Sequence, residues 1–366
     1  MDALQSVQGG VKQSRIFYFD VLRAAACLAV IVIHVSAQYW YDTDVSTFSW
    51  QVYNICDSAV RWGVPIFVML SGALFLDPDR EYPVKRMYGR YIFRMVTAFL
   101  FWSAVYALYA FFQTKDAGQF AALLLTGHHH MWFIWMIVGL YMIVPVLRQI
   151  SRDQRILEYY LLLCVVLAFL LPTLDHMICL LGIPITKDHI FYEGVRRACE
   201  SSKLYFVLGY TGYFLLGRWL HTAVLSKRQE YGIYILGLLS VAATAWVTSS
   251  ASRITGAPEI SFYLELSAQA LLQSAAVFTL GKCRLSKWKP GPFMKKAVQK
   301  VSGASFGIYL SHLFFLEYMH QKRYTCVFLE KGPVVYLVCT TVILFVLSYC
   351  VTAVLKKIPV LNRYVV

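Results

Sequence analysis

Phe17-Tyr18-Phe19-Asp20-Val21-Leu22-Arg23-Ala24-Ala25-Ala26-Cys27-Leu28-Ala29-Val30-Ile31-Val32-Ile33-His34 is an almost unbroken apolar run that nevertheless carries Asp20, Arg23 and His34. A run of this length reads as a membrane-spanning helix. Ionisable side chains inside a bilayer cost a few kcal/mol or more, so by default they mark function. Eleven positions separate Arg23 from His34, about 1100° of helix, within ~20° of whole turns, and roughly 16 Å of rise. The two therefore share one helix face at two depths. Asp20 lies one turn before Arg23 and can pair with it. Burial favours the neutral imidazole, the form a general base needs.

Working outward, the whole chain of 366 residues is 58% hydrophobic and 16% aromatic, with a mean hydropathy of +0.56. Soluble domains hold about 45–50% apolar residues, so the expected class is all-α, a polytopic membrane bundle. Ten spans are expected near residues 17–38, 52–76, 91–112, 131–147, 157–182, 204–220, 231–250, 261–281, 302–320 and 334–355. Residues 1–14 read as a mobile cytoplasmic N-terminus, 15–358 as one integral-membrane domain and 359–366 as a cytoplasmic tail. The net charge of +14 could suggest nucleic acid, but its distribution argues otherwise. With the N-terminus inside, Lys and Arg are more than twice as numerous in the inner segments as in the outer loops, which fits both termini being cytoplasmic. No nucleic-acid partner is expected. The basic run from Lys282 to Lys300 could also bind anionic lipid or a nucleotide.

The nine cysteines are an odd number and most fall in spans, where they act as small apolar groups. Cys199 and Cys326 fall in expected outer loops and could pair. The longest outer loop, from Gly182 to Lys203, could bind an acceptor. Arg61 lies in the outer half of the second span, before Pro65 and Ser71-Gly72, and needs an anion or a bundle partner. Pro65 opens the helix ladder there, and Ser71-Gly72 permits close helix packing. Arg90 and Arg94 stand four apart at the inner end of the third span. Positive-inside topology accounts for such cations, and so does a phosphorylated ligand, since guanidinium groups bind phosphate bidentately. His128-His129-His130 opens the fourth span. Neighbouring histidines converge poorly, and no Cys or carboxylate adjoins them in sequence, so no metal is expected. Near the end, His312 is a second intramembrane histidine, with Glu317 just over a turn beyond. Glu265 is a further acid, in the eighth span.

Four of these segments, in order, resemble membrane-bound acyltransferase family 3: Arg23 and His34 as a basic residue, ten residues and a His; Pro65 to Gly72; His130-Met131-Trp132-Phe133; and Ser305 to His312. The resemblance covers about residues 15–355. It is strongest to the short single-domain branch typified by the enterobacterial common antigen O-acetyltransferase. It implies transfer of an acyl group, usually acetyl from cytoplasmic acetyl-coenzyme A, to a hydroxyl of a cell-envelope glycan or lipid-linked sugar, in a multi-pass protein of the bacterial cytoplasmic membrane. The family's Arg-x-x-Arg appears here as Arg90-x-x-x-Arg94, and alignment on Phe101-Trp102-Ser103 favours Arg94.

The resulting expectation is specific. Arg23, Arg90 and Arg94 hold the coenzyme A phosphates. His34 takes the acceptor's proton or carries the acyl group. Arg61 or His130 steadies the oxyanion or orients His34. Asp20, Ser71, His312 and Glu317 support the site. A proton-coupled transporter using the intramembrane His, Glu265 and Glu317 is the alternative. So is the membrane half of a two-protein acyl-transfer system, because no soluble domain follows the tenth span.

Overall fold

The computed structural model describes residues 15–180, 194 and 204–366. The N-terminal residues 1–14 and almost all of the loop from Gly182 to Lys203, with Cys199, lie outside the described residues; Cys326 is a free thiol. The described chain is helical, with no strand. Its contacts divide it into two compact units. One is built from the chain up to Val35, Glu81–Pro145 and Lys289–Val366; the other from Ser36–Arg80 and Val146–Trp288.

In the first unit, α1 (Phe17–Trp40) contributes its length up to Val35. A three-residue turn Val84–Arg86 and a π-helical turn Met87–Ile92 lead into α4 (Phe93–Thr114), followed by α5 (Ala117–Thr126) and α6 (Trp132–Met142). The long α13 (Pro292–Gln321), the short α14 (Tyr324–Leu329), α15 (Pro333–Leu355) and α16 (Pro359–Tyr364) complete it. Helices approach closely where side chains are small. A Cβ on Gly307 of α13 would fall 2.5 Å from the Thr352 Cγ2 of α15. Tyr336 Oη donates to the Val35 carbonyl at 3.0 Å, joining α15 to α1. Tyr106 of α4 sits against α13, donating to Leu310 O at 2.9 Å and accepting from Phe314 N at 3.0 Å.

The second unit holds α2 (Phe48–Ser58) and α3 (Gly63–Phe75), then α8 (Gln154–Leu163), α9 (Leu171–Leu180), α10 (Leu204–Thr222), α11 (Lys227–Thr255) and α12 (Ala268–Cys283). The amphipathic α7 (Val144–Arg152) carries the chain from one unit into the other. Arg148 on α7 closes the end of α3, donating to the carbonyls of Phe75, Asp77 and Arg80 at 2.7, 3.0 and 2.7 Å. Phe75 O is one of the carbonyls that the end of α3 leaves without an internal partner, and the other two belong to the turn that follows.

Among the described residues, seven helical stretches are long and apolar enough to cross a membrane: Phe17–Trp40, Phe48–Phe75, Val84–Thr114, Ala117–Met142, Gln154–Ile178, Lys227–Thr255 and Pro333–Leu355. The other three expected spans fall on α10, α12 and α13, which are shorter or more polar. Three boundaries move. The second span breaks at residues 59–62, so Pro65 sits in the first turn of α3, where its missing N–H breaks no helical bond. The fourth begins earlier, at Ala117, and turns at Ile143, ahead of Pro145. Glu265 lies in the loop before α12, whose N-cap is Ser267, rather than in a span.

Candidate active site

Gly127 starts the site. It ends α5 with a positive φ of 73°, a conformation glycine adopts without penalty. A Cβ there would lie 2.6 Å from the Phe99 ring. This turn directs His128 and His130 into the first unit, where they are 8% and 3% exposed. His312 on α13 is fully buried. Its Nδ1 faces the Tyr309 carbonyl at 2.6 Å and the Ile308 carbonyl at 3.3 Å. A carbonyl can only accept, so Nδ1 carries the proton and the neutral ring offers a lone pair at Nε2.

That lone pair meets His34. His34 Nδ1 lies 2.8 Å from Val30 O and 3.1 Å from His312 Nε2. Both partners accept, so the His34 proton resides on Nδ1 and the lone pair on Nε2. An imidazole whose tautomer is fixed by a neighbour is the arrangement found in general bases and nucleophiles. The His130 ring stands 6.3 Å from that of His34 and 5.5 Å from that of His312. The His129 ring is also 6.3 Å from His34. Further along, His130 Nδ1 lies 2.9 Å from His128 Nδ1, and His128 Nε2 lies 2.7 Å from Glu317 Oε1. Tyr309 Oη donates to the His130 carbonyl. No three metal-ligating side chains among the described residues converge to hold an ion.

Polar residues gather elsewhere in the same unit. Asp20 is fully buried. It accepts from Arg15 Nε at 2.7 Å and Nη2 at 2.9 Å, and from Ser302 Oγ at 2.7 Å. Arg23 stands farther off, its Nη1 3.7 Å from Asp20 Oδ1. Tyr141 of α6 is an electrostatic neighbour of both Arg23 and Arg94, and Arg90 is a neighbour of Arg94. Arg23 and Arg94 thus share Tyr141 as a neighbour, and Arg90 adjoins Arg94. Arg90 lies on the π-helical turn, a feature often met at functional sites. The Arg94 guanidinium donates to the Val366 backbone oxygen, while Thr97 Oγ1 donates to Tyr364 O at 2.7 Å.

Arg61 and Ser71 belong to the second unit. Arg61 sits on the break between α2 and α3. It pairs with the buried Asp57, donates to Tyr263 O at 3.0 Å and lies 4.0 Å over the Tyr263 ring. Its bundle partner is therefore Asp57, one helical turn back. Ser71 Oγ donates to Phe67 O at 2.9 Å, within its own helix. The adjacent Gly72 makes the close packing: a Cβ there would fall 1.8 Å from the Phe214 carbonyl oxygen of α10.

Sequence reasoning missed Tyr106, Tyr141 and Gly127. Tyr309 had a signal, lying three residues before His312. Tyr106 had none, since one tyrosine among many aromatics in a span carries no mark of its own.

A many-helix membrane protein whose first unit holds a group of buried imidazoles and, separately, Arg23, Arg90 and Arg94 is thus the class the fold and site define. Residues 16–353 match the family model described as Acyltransferase domain, that of acyltransferase family 3. The match spans nearly the whole chain, which belongs to this family. The comparison with curated proteins found no match, and neither did the comparison with solved structures.

Proposed function

We propose that this protein is an O-acyltransferase. It moves an acyl group, acetyl by preference, from acyl-coenzyme A to a hydroxyl of a cell-envelope glycan or lipid-linked sugar. In this reading it resembles the short branch that acetylates enterobacterial common antigen. It crosses the bacterial cytoplasmic membrane ten times, with both termini inside. Family membership supports the reaction class. The observation that carries the site is His34, its proton held on Nδ1 by Val30 O and His312 Nε2 and its lone pair on Nε2.

From that lone pair two routes follow. Nε2 can take the acceptor hydroxyl's proton as the oxygen attacks the thioester carbonyl. Alternatively, Nε2 attacks that carbonyl itself and passes the acyl group on. In both, a C–O bond replaces the C–S bond and the sulfur leaves with a proton. Arg23, Arg90 and Arg94 suit the phosphates of the donor, since guanidinium groups match phosphate geometry. Arg61, already paired with Asp57, is left out of the chemistry.

The test is acetyl-coenzyme A consumption by purified protein in lipid nanodiscs, with mass spectrometry of envelope glycans from cells with and without the gene. A gain of one acyl unit identifies donor and acceptor. His34→Ala is expected to abolish turnover. Arg94→Ala is expected to weaken donor binding on the order of tenfold or more, in line with the loss of a charge-assisted bond. Wild-type transfer by His34→Ala would sink the mechanism.

A further inference from the structure

His130 Nε2 is buried and has no hydrogen-bond partner among the described residues. A polar atom deprived of water in this way costs free energy, and native structures keep few of them without a functional reason. The other side of the ring is fully engaged. Glu317 Oε1 accepts from His128 Nε2, which leaves His128 Nδ1, in the neutral ring, as an acceptor. His130 Nδ1, at 2.9 Å, must then be the donor. The chain of contacts runs from a carboxylate that is 35% exposed, through His128, to a histidine that is 3% exposed. Its far end is the Nε2 lone pair of His130, whose ring centre lies 6.3 Å from that of His34.

We propose that His128 is a positioning residue which, backed by Glu317, keeps the His130 proton on Nδ1 and makes His130 Nε2 a second proton acceptor beside His34. The inference rests on the acyl-transfer reading. It explains how the two routes for His34 can be reconciled. While His34 Nε2 bears the acyl group it cannot also act as a base, and His130 supplies that function. The acceptor's O–H bond breaks and its proton goes to His130 Nε2. The His130 Nδ1 proton passes to His128 Nδ1, whose charge then faces the Glu317 carboxylate. The acceptor oxygen forms its bond to the acyl carbon as the C–N bond to His34 breaks. The reverse proton movement returns the proton to the departed thiolate. His130 is thereby an acceptor in its resting form, whereas the sequence expectation gave Arg61 or His130 the task of steadying the oxyanion or orienting His34.

The experiment is nitrogen-15 NMR of histidine-labelled protein in nanodiscs, with His130 assigned by difference against His130→Gln. The expected wild-type signature is a protonated Nδ1 and an unprotonated Nε2 on His130. His128→Ala should move that ring towards the Nε2–H form. A protonated Nε2 in the resting wild type, or a tautomer indifferent to His128→Ala, overturns the proposal. If His128→Ala does not fold, Glu317→Gln, which keeps the side-chain volume, decides. Its kcat should fall on the order of 10- to 100-fold, with the KM for acetyl-coenzyme A within about twofold, and Glu317→Asp should recover part of the loss. Unchanged kcat in Glu317→Gln refutes the relay. A wild-type protein that moves no acyl group refutes the acyl-transfer reading instead, and the tautomer measurement still decides the role of His128.

Discussion

His312 and His34 share one local arrangement and differ at a single ring nitrogen. Both histidines spend Nδ1 on a carbonyl of their own helix, a local bond that any helical histidine can form. The difference lies in Nε2. That of His312 is turned to His34, so it orients its neighbour as a carboxylate orients the histidine of a catalytic triad. His312→Ala should therefore lower kcat by roughly 10- to 100-fold and leave the KM for the acyl donor unchanged. His312→Gln, whose amide oxygen can accept the same proton, should restore part of the rate. Equal activity in His312→Ala and wild type, measured as coenzyme A release, would remove His312 from the site.

Among the elements, the pairing of α3 with α10 is the tightest contact described. Gly72 meets Phe214 O at 1.8 Å from its notional Cβ, and Gly217 meets Met69 O at 2.0 Å. Each glycine thus faces the backbone of the other helix, and small residues at such interfaces are what let transmembrane helices approach. Neither atom can yield without moving a helix. Gly72→Val should cost more than the ~1–3 kcal/mol of ordinary overpacking, read as a fall in the thermal midpoint of the detergent-solubilised protein. Gly139 has nothing within 4 Å of its notional Cβ, so Gly139→Ala on α6 should leave that midpoint unchanged or raise it by about the 0.5–1 kcal/mol that separates alanine from glycine in a helix. A Gly72→Val protein as stable as wild type would contradict the packing described.

For the molecule as a whole, the two compact units divide the residues singled out from sequence. His34, His130, His312, Glu317, Asp20, Arg23, Arg90 and Arg94 fall in the first; Arg61 and Ser71 fall in the second. Arg61 there pairs with the buried carboxylate of Asp57. Removing one partner of such a pair costs about 3–5 kcal/mol, whereas replacing both by apolar residues is often neutral. Asp57→Ala should accordingly lower the thermal midpoint sharply, and Asp57→Leu with Arg61→Met should restore it. The double variant should also keep the wild-type kcat; loss of turnover in a stably folded double variant would return Arg61 to the chemistry.

The sequence by itself determined the helical membrane class and the family, and it singled out His34 and His312 as intramembrane histidines. Hydropathy, the Arg23–His34 spacing and short motifs are local properties, legible along one helix at a time. It also placed Arg90 and Arg94 one turn apart, because periodicity alone sets that. Only the tertiary structure decided the partners. The Glu317–His128–His130 chain joins residues about 190 positions apart, and the His34–His312 bond joins the first helix to a late one. No helical period relates such residues. Asp57 was four positions from Arg61 and still escaped notice, since i,i+4 spacing permits a pair without requiring one. Burial makes that choice: a charge removed from water must find its counter-charge, and where it finds it depends on which helices pack together.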